Sequence, residues 1–463
     1  MLTWIEIDGF KSFRNFKAPL ASFQVIIGAN GVGKSNLFDA LRLLANLAET
    51  DLRTAFLKVR GNAGELFTVL PTDEHVATMR FAVELFVDRH IRDEWGSEAE
   101  LKFTRMRYEL EIARRPDAQG LERPYVTYES LEPINRGEDD WLSQLGKHRD
   151  RWLPTLRGGR GTPFISTEDE RRDVATLYLH QDGRSGRKAT VAEKAERTVL
   201  SGVLNTEFPH AFAAREEMRA WKRLQLNPVI LRDPSPLVNP QHLKSDGEFL
   251  AGTLARLDAE DEIILKEISA DLAYLVPEIK AVVVEPDRPQ NRYLIKAYTR
   301  DGREFSSSVL SDGTLRLLAL LTLKYDPQHR GVLCFEEPEN GVHPRRLKQM
   351  VEEILRPLAT DFESDDDHIW PLRQLLVNTH SPVLAQALDE ENLARELLFA
   401  TMVTQTAPLG TTRVTQMYPV KPSTQMRLNL EISSEVADYT LGQVMTYLES
   451  ANPSEIIAQL KGN

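Results

Sequence analysis

The pattern of hydrophobic and polar positions at the start of the chain predicts three strands and a helix. Thr3 to Asp8 alternates apolar and polar side chains, and a second strand is expected from Phe16 to Leu20. Phe23 to Ile27 is an unbroken apolar run rich in β-branched residues, which is typical of a buried parallel strand. From Leu37 to Leu44 the leucines recur at helical spacing. A buried strand, a glycine-rich loop and a helix therefore follow one another.

The middle of the chain divides into a β-rich and a helical region. Residues 77–88, 103–113 and 125–131 alternate as antiparallel strands do, which predicts a β-subdomain. From about Val191 to Ala281 the period becomes helical, and several prolines break it into separate helices. No heptad pattern is sustained for the three or four repeats that a coiled coil needs.

Strands and one long helix are predicted again towards the C-terminal side. The expected strands are Ala281 to Glu285, Tyr293 to Tyr298, Gly331 to Phe335 and Leu375 to Asn378. A helix is expected from Thr314 through Leu323, and the acidic stretch Asp361 to Asp367 is expected to be a surface loop.

Length and composition narrow the class of protein. The 463 residues suggest one large domain with insertions or two lobes, and 41% apolar residues suffice for a packed core. Cys334 is the only cysteine, which excludes an internal disulfide and a multi-cysteine zinc site. No apolar run approaches the ~18 residues that span a bilayer, and the N-terminal residues do not resemble a signal peptide. We expect a cytoplasmic protein without a membrane partner.

The formal net charge of -12 argues against a surface that binds nucleic acid everywhere, because phosphate contacts need clustered lysine and arginine. One basic stretch, from Lys147 to Lys188, contains eight arginines and several glycines. Its ordinary interpretation is a solvated, partly flexible loop region. A nucleic-acid or partner site is the alternative.

The loop after the third strand has the pattern G-x-x-x-x-G-K-[ST] of a phosphate-binding loop. In such a loop the backbone N–H groups and the helix N-terminus face the phosphates. Lys34 is then expected to reach the β- and γ-phosphates, and the Ser35 hydroxyl to ligate Mg²⁺. The residues expected to bind the nucleotide here are Gly28, Ala29, Asn30, Gly31, Val32, Gly33, Lys34, Ser35 and Asn36.

Two acids end a later apolar strand. Glu336 and Glu337 follow Gly331 to Phe335, and a parallel strand places such carboxylates at its C-terminal edge, where ligands of open α/β sheets bind. We expect Glu336 to hold Mg²⁺ through its water shell and Glu337 to polarise the attacking water. The ordinary alternative is a buried strand that stops at a polar surface.

Two further polar elements have simple structural explanations when taken alone. His380 follows the strand Leu375 to Asn378, where it can donate a hydrogen bond to a γ-phosphate, although a histidine at a strand end is more often structural. Ser311, Asp312 and Gly313 open an apolar helix, as an N-cap and first turn do. Free N–H groups at a helix start can also hold the γ-phosphate of a nucleotide bound by another subunit.

In this order and spacing, these segments resemble the ABC-type ATPase superfamily. The branch is that of RecF, the SMC proteins and the AAA_21-type ATPase subunits of anti-phage defence systems such as Septu, PARIS and retron-linked modules. The matching positions are the Walker A loop (Gly28 to Ser35), the signature (Leu310 to Thr314), the Walker B acids (Glu336, Glu337), the D-loop-like segment (Pro338 to Pro344), the switch histidine (His380) and an SMC-type N-terminal turn (Gly9 to Phe13).

The resemblance implies an α/β fold, an ABC-type P-loop ATPase head with a mixed or parallel sheet and an antiparallel β-subdomain. A compact, mainly helical insertion without a long coiled coil is expected. The implied domains are a first lobe with the β-subdomain (1–135), an insertion that is loop-rich and then helical (136–280), a second lobe (281–400) and a C-terminal extension that completes the core (401–463).

The sequence departs from the family pattern at several points, including the second position of the signature, where Asp312 is more acidic than the transporter version. No glutamine occurs between Val25 and Ala118, where the Q-loop glutamine of the family belongs, so Asn62 or Glu65 is a candidate substitute. The residues after His380 contain no Asp-x-Asp pair, so the TOPRIM nuclease domain of the related overcoming-lysogenisation-defect proteins is expected to be missing.

The resemblance implies a slow ATPase with ATP and Mg²⁺ as cofactors and Lys34, Glu337 and His380 as catalytic residues. ATP is expected to lie between the Walker A loop of one copy and Ser311 to Gly313 of another, in a head-to-tail dimer or a higher homo-oligomer. The first hypothesis is a switch subunit of an anti-phage defence complex that holds or activates a separately encoded effector, a TOPRIM or HNH nuclease or a toxin.

Two alternatives stay open. One is a RecF-like repair ATPase that clamps DNA, whose binding should be lost when Arg157 and Arg160 are neutralised. The other is a scaffold that assembles with ATP and scarcely hydrolyses it.

Overall fold

The computed structural model describes residues 1–72, 74–117, 119–154, 162–170, 174–181, 187–191, 195–238, 242–365, 371–407, 410–421 and 439–449. Its strands are, in chain order, β1 (Leu2–Asp8), β2 (Phe16–Pro19), β3 (Phe23–Ile27), β4 (Thr78–Phe86), β5 (His90–Arg92), β6 (Glu98–Glu100), β7 (Arg105–Pro116), β8 (Glu122–Pro133), β9 (Ile165–Glu170), β10 (Val174–His180), β11 (Arg187–Val191), β12 (Lys222–Leu224), β13 (Ser235–Pro236), β14 (Ile279–Asp287), β15 (Arg292–Thr299), β16 (Glu304–Ser306), β17 (Gly331–Glu336), β18 (Arg373–Thr379), β19 (Leu397–Ala407), β20 (Gly410–Lys421) and β21 (Tyr439–Thr440).

The helices connect these strands and cover the sheets. They are α1 (Lys34–Leu47), α2 (Leu52–Leu57), α3 (Arg149–Trp152), α4 (Pro209–Arg219), α5 (Pro228–Leu231), α6 (Leu250–Glu260), α7 (Glu262–Leu275), α8 (Asp312–Tyr325), α9 (Leu347–Met350), α10 (Pro382–Gln386), α11 (Leu393–Glu396) and α12 (Leu441–Glu449).

A seven-stranded sheet forms the centre, in the order β12-β17-β18-β3-β19-β20-β21. The strands from β12 to β19 are parallel, and β20 is antiparallel to β19. The register aligns Glu336 with Asn378 and Asn378 with Ile26. The C-terminal ends of β17, β18 and β3 therefore meet at one edge of the sheet, beside the phosphate-binding loop.

An eight-stranded antiparallel sheet, β11-β10-β9-β8-β7-β4-β1-β2, forms the second layer. It shares one hydrophobic core with α1 and one face of the central sheet, to which Ile26 contributes. Val25 and Ile27 contribute to a separate core, which contains α6, α7 and α8. The alternation of side chains along β3 thus fills both cores, which explains why the strand is apolar throughout.

The structure confirms the predicted α/β fold class, with a mixed central sheet and an antiparallel sheet beside it. Within the described residues the longest helices, such as α8, have 14 residues, which is too short for coiled-coil arms. In the same residues no helix is long and apolar enough to cross a bilayer. The proposed domain boundaries stay a prediction.

One region differs from the expectation. The stretch expected to be loop-rich contains β9, β10 and β11, which extend the antiparallel sheet. Ile165, Leu177 and Leu179 are buried there, while most of the neighbouring residues are charged or polar. A few apolar positions on one face suffice for a strand at the border of a large sheet, and the surrounding charge concealed them in the sequence.

Candidate functional site

The phosphate-binding loop has the backbone that a phosphate cradle needs. Gly31 and Gly33 have φ values of 79° and 98°, in the left-handed region that favours glycine. α1 begins directly after Gly33, and no side chain among the described residues caps its start. The Asn36 N–H donates to the Gly33 carbonyl at 3.0 Å, and the N–H groups of Lys34 and Ser35 at the start of α1 are available to an anionic ligand.

A chain of side-chain hydrogen bonds holds the loop from behind. The Asn36 amide donates to Ser12 Oγ (2.8 Å), and Ser12 Oγ is 2.7 Å from Thr415 Oγ1. Thr415 Oγ1 lies 2.8 Å from the Val32 carbonyl, to which it donates. Since that donation uses its only proton, Ser12 must donate to Thr415. The side chain of Asn36, expected at the nucleotide, is thus engaged in supporting the loop.

Lys34 is buried and folded against its own loop. Its Nζ donates to the Gly28 and Ala29 carbonyls at 2.7 and 2.8 Å. Burial lowers the pKa of Lys34 to about 8, although the carboxylates of Glu337 and Glu336 oppose the shift. The ammonium can exchange these two carbonyls for phosphate oxygens of the ligand, which carry more charge.

Glu336 is held as an ionised carboxylate at the end of β17. Its Oε2 accepts from Arg223 Nη2 at 2.6 Å, and its Oε1 accepts from Asn378 Nδ2 at 3.0 Å. Burial alone raises its pKa, but hydrogen bonds from Ser35, Arg223 and Asn378 outweigh burial, and the pKa of Glu336 lies below its ordinary value. The structure thus brings together Ser35 and Glu336, the two predicted Mg²⁺ ligands.

Asp39 is a buried acid that sequence analysis did not single out. Its carboxylate accepts from Lys11 Nζ (2.6 Å), Arg60 Nη2 (3.0 Å) and Arg223 Nη1 (3.2 Å). Through Arg223 it is joined to Glu336. The sequence does carry a signal for this residue, an aspartate among the apolar residues of a helix. Such a carboxylate is buried and needs cationic partners, which indicates a charged cluster at that position.

Glu337 has a backbone and hydrogen bonds that fix its carboxylate. Its φ is 47°, which costs a non-glycine residue about 1–3 kcal/mol. Its N–H donates to the Asn378 carbonyl at 2.9 Å. The carboxylate is 2.8 Å from His380 Nδ1 and accepts from Asn340 Nδ2, also at 2.8 Å. Glu337 and His380, both expected to be catalytic, therefore lie in direct contact.

These elements surround a cavity of about 420 Å³, a volume typical of ligand sites. Its lining combines loop backbone, the Ser35 hydroxyl, two carboxylates and two cations, a donor set that fits a triphosphate with a hard divalent ion. The lining residues are Asn30, Gly31, Gly33, Lys34, Ser35, Asn36, Arg60, Glu336, Glu337, Asn340 and Asn378.

Neither candidate for the Q-loop position lines this cavity. Asn62 donates its backbone N–H to Glu65 Oε2 at 2.7 Å, and both side chains are exposed. Arg60, two residues before Asn62, lines the cavity instead. The sequence analysis did not predict that an arginine would line the cavity so close to the position expected for the Q-loop residue.

The structure does not bring the signature residues to the cavity. Ser311 caps α8 by accepting from the Thr314 N–H (3.2 Å), and Asp312 pairs with Arg232 (2.6 Å). A Cβ on Gly313 would lie 2.6 Å from the Gly341 carbonyl oxygen, so the helix start packs closely on that backbone. None of the three signature residues is among the cavity lining.

The basic stretch is only partly described. Lys147 and His148 pair with Asp365, so these two residues contact an acidic loop of the same chain. Arg157 and Arg160, on which the DNA-binding expectation depends, lie outside the described residues.

Comparisons with known proteins find a family and several SMC proteins. The AAA_21 family, described as "AAA domain, putative AbiEii toxin, Type IV TA system", matches residues 23–385. Over 56 residues the chain is 39% identical to Structural maintenance of chromosomes protein 1 of Schizosaccharomyces pombe. That match covers 12% of this chain and only 5% of the relative's length.

Two solved SMC head structures are among those to which the chain is similar. One is the SmcHead bound to the C-winged helix domain of ScpA, with 14% identity, 89% of this chain and 97% of that chain covered, and a TM-score of 0.46. The other is the Pyrococcus furiosus Smc head domain with an extended coiled coil, bound to the C-terminal domain of ScpA. It has 13% identity, covers 89% of this chain and 96% of that chain, and has a TM-score of 0.44.

Proposed function

The chain belongs to the AAA_21 family, and from this premise we propose that it binds ATP with Mg²⁺ in the cavity of the phosphate-binding loop and hydrolyses it. The contact between Glu337 and His380 beside that loop carries the proposal. Lys34 and the N–H groups of the loop bind the triphosphate. Ser35 and Glu336 would hold Mg²⁺, which neutralises charge on the phosphates when it is bound.

Glu337 is the proposed general base. Its carboxylate accepts hydrogen bonds from two sides, from Asn340 and His380, so one position is fixed for polarising a water molecule. As the water attacks the γ-phosphorus, its proton passes to the Glu337 carboxylate, the bond from the γ-phosphorus to the β–γ bridging oxygen breaks, and ADP leaves. His380 keeps the carboxylate in place through Nδ1 and, as an imidazolium, can donate from Nε2 to the γ-phosphate.

Glu337→Gln tests this assignment. We expect ATP binding, measured by equilibrium dialysis, to persist while phosphate release falls by about 10²- to 10⁴-fold, the usual contribution of a general base. Glu390→Gln is the matched control, since Glu390 is exposed and lies outside the cavity lining. Unchanged hydrolysis by the Glu337 variant would sink the assignment.

We also propose that a second copy completes the site with Ser311 to Gly313. Val309, two residues before Ser311, is 65% accessible, and Val229 is 68% accessible on α5, whose C-cap residue Arg232 pairs with Asp312. Covering this apolar surface favours association. If two copies form the catalytic unit, the specific activity should rise with protein concentration and then level off. A specific activity independent of concentration down to the nanomolar range would contradict the dimeric site.

Because hydrolysis removes the phosphate that joins the two copies, we propose that the protein is a switch subunit of an anti-phage defence complex. It would hold or activate a separately encoded nuclease or toxin, and the family description, which names a toxin and a toxin–antitoxin system, supports this role. Co-purification with the product of a neighbouring nuclease gene, changed by ATP, is the expected result. Salt-sensitive, ATP-dependent DNA binding by the protein alone would favour a RecF-like clamp instead.

A further inference from the structure

The start of α8 is packed directly on the segment that follows Glu337. Gly341 has a φ of 84°, and its carbonyl oxygen lies where a Cβ on Gly313 would be, at 2.6 Å. No side chain separates the two backbones at this point. A shift of the helix start must therefore move the turn that contains Gly341.

Arg316 forms a second link between the same two elements. It lies one turn into α8, and its Nη1 donates to the Asn340 carbonyl at 2.8 Å. Its Nε is buried and has no partner among the described residues. Arg316 lines a cavity of about 410 Å³ together with Glu336, Glu337 and Asn340, three residues that also line the nucleotide cavity. The guanidinium thus faces the space beside the proposed general base.

Asn340 connects this arginine to Glu337. Its side-chain amide donates to Glu337 Oε2 at 2.8 Å, and its backbone N–H donates to the Glu337 carbonyl at 3.1 Å. Its own carbonyl is the acceptor for Arg316. One residue is therefore bonded to α8 on one side and to the catalytic carboxylate on the other.

We propose that Arg316 and Asn340 are positioning residues that couple the two ATP sites of a dimer. The inference rests on the proposed function, in which Ser311 to Gly313 contact the ATP bound by the partner copy. Binding of that ATP fixes the start of α8, the Arg316 guanidinium fixes the Asn340 carbonyl, and the Asn340 amide aligns Glu337. Hydrolysis at one site then depends on nucleotide at the other.

Arg316→Met tests the coupling because methionine retains most of the packing of the side chain and removes its hydrogen bonds. For the wild type we expect cooperative ATP hydrolysis, with a Hill coefficient approaching the limit of two for two sites. In the variant the coefficient should fall to about one and kcat should fall by about 2- to 30-fold. The affinity for ATP should stay unchanged. Arg345→Met, at an exposed position outside both cavities, should behave as the wild type.

Two further variants separate coupling from general damage. Arg316→Lys keeps a donor and should restore part of the cooperativity. Asn340→Ala removes the amide that reaches Glu337, so Arg316→Met combined with Asn340→Ala should be no slower than the slower single variant. Independent, multiplicative losses would overturn the relay.

The proposal and the dimeric ATPase on which it rests fail in different ways. An Arg316→Met protein with wild-type cooperativity and kcat overturns the relay and leaves the ATPase assignment intact, as does a wild-type protein that hydrolyses ATP with a Hill coefficient of one. A wild-type protein that neither binds nor hydrolyses ATP overturns the proposed function itself.

Discussion

Replacing Thr415 with valine removes the central hydroxyl of the chain of hydrogen bonds behind the phosphate-binding loop. The hydroxyl donates to the Val32 carbonyl and accepts from Ser12, at 2.8 and 2.7 Å, and the side chain is completely buried. Valine keeps the shape, so no cavity forms. The Val32 carbonyl and the Ser12 hydroxyl both lose a partner.

The two lost hydrogen bonds determine how much the Kd for ATP is expected to rise. Each buried hydrogen bond contributes about 1 kcal/mol net, so the ordered loop loses about 2 kcal/mol relative to disordered conformations. If ATP must restore the loop on binding, its Kd rises by roughly 30-fold, since 1.4 kcal/mol corresponds to a factor of ten. Isothermal titration calorimetry with non-hydrolysing Glu337→Gln as the background measures this change directly.

Thr411→Val is the matched control, because Thr411 lies on the same strand and is exposed. It should leave the Kd for ATP unchanged. If Thr415→Val also binds ATP with the background affinity, the hydrogen bonds behind the loop do not preorganise it, and the reasoning is refuted.

The geometry of the site also predicts how ATP affinity depends on pH and how Gly313→Ala affects hydrolysis. The pKa of Lys34 in the free protein is about 8, and only the ammonium form binds phosphate well. The affinity for ATP should therefore fall about 10-fold between pH 7 and pH 9. A constant Kd for ATP over that range would contradict the role of Lys34. Gly313→Ala places a Cβ 2.6 Å from the Gly341 oxygen and should displace the start of α8. Hydrolysis should then fall by about 100-fold, while the affinity of a single copy for ATP stays unchanged because Gly313 lies outside the cavity of its own chain. Full activity would show that the close packing is not needed.

The parts of the site that local sequence determines were predictable. The strand, loop and helix from Phe23 to Leu47 follow a motif in which each residue's neighbours along the chain specify its conformation. Glu336 and Glu337 could be placed because parallel strands end at one edge of a sheet. The sequence also indicated correctly that no long helical arms occur in the part of the chain described here.

The supporting residues could not be predicted because tertiary contacts bring them to the site. Thr415 reaches the loop from β20, about 380 residues after Val32. Arg223 lies on a three-residue strand whose pairing with β17 the local pattern does not specify. The role of Asn340 depends on the turn after Glu337, which hydrophobic periodicity does not describe.

The mass of Glu337→Gln in solution tests the central claim, a composite ATP site between two copies, most directly. Multi-angle light scattering should show a monomer of about 52.6 kDa without nucleotide and twice that mass with ATP and Mg²⁺. Adding Ser311→Arg to this variant should abolish the shift and preserve ATP binding, because Ser311 lies outside the cavity of its own chain. A Glu337→Gln protein that binds ATP fully and remains a monomer would contradict the account.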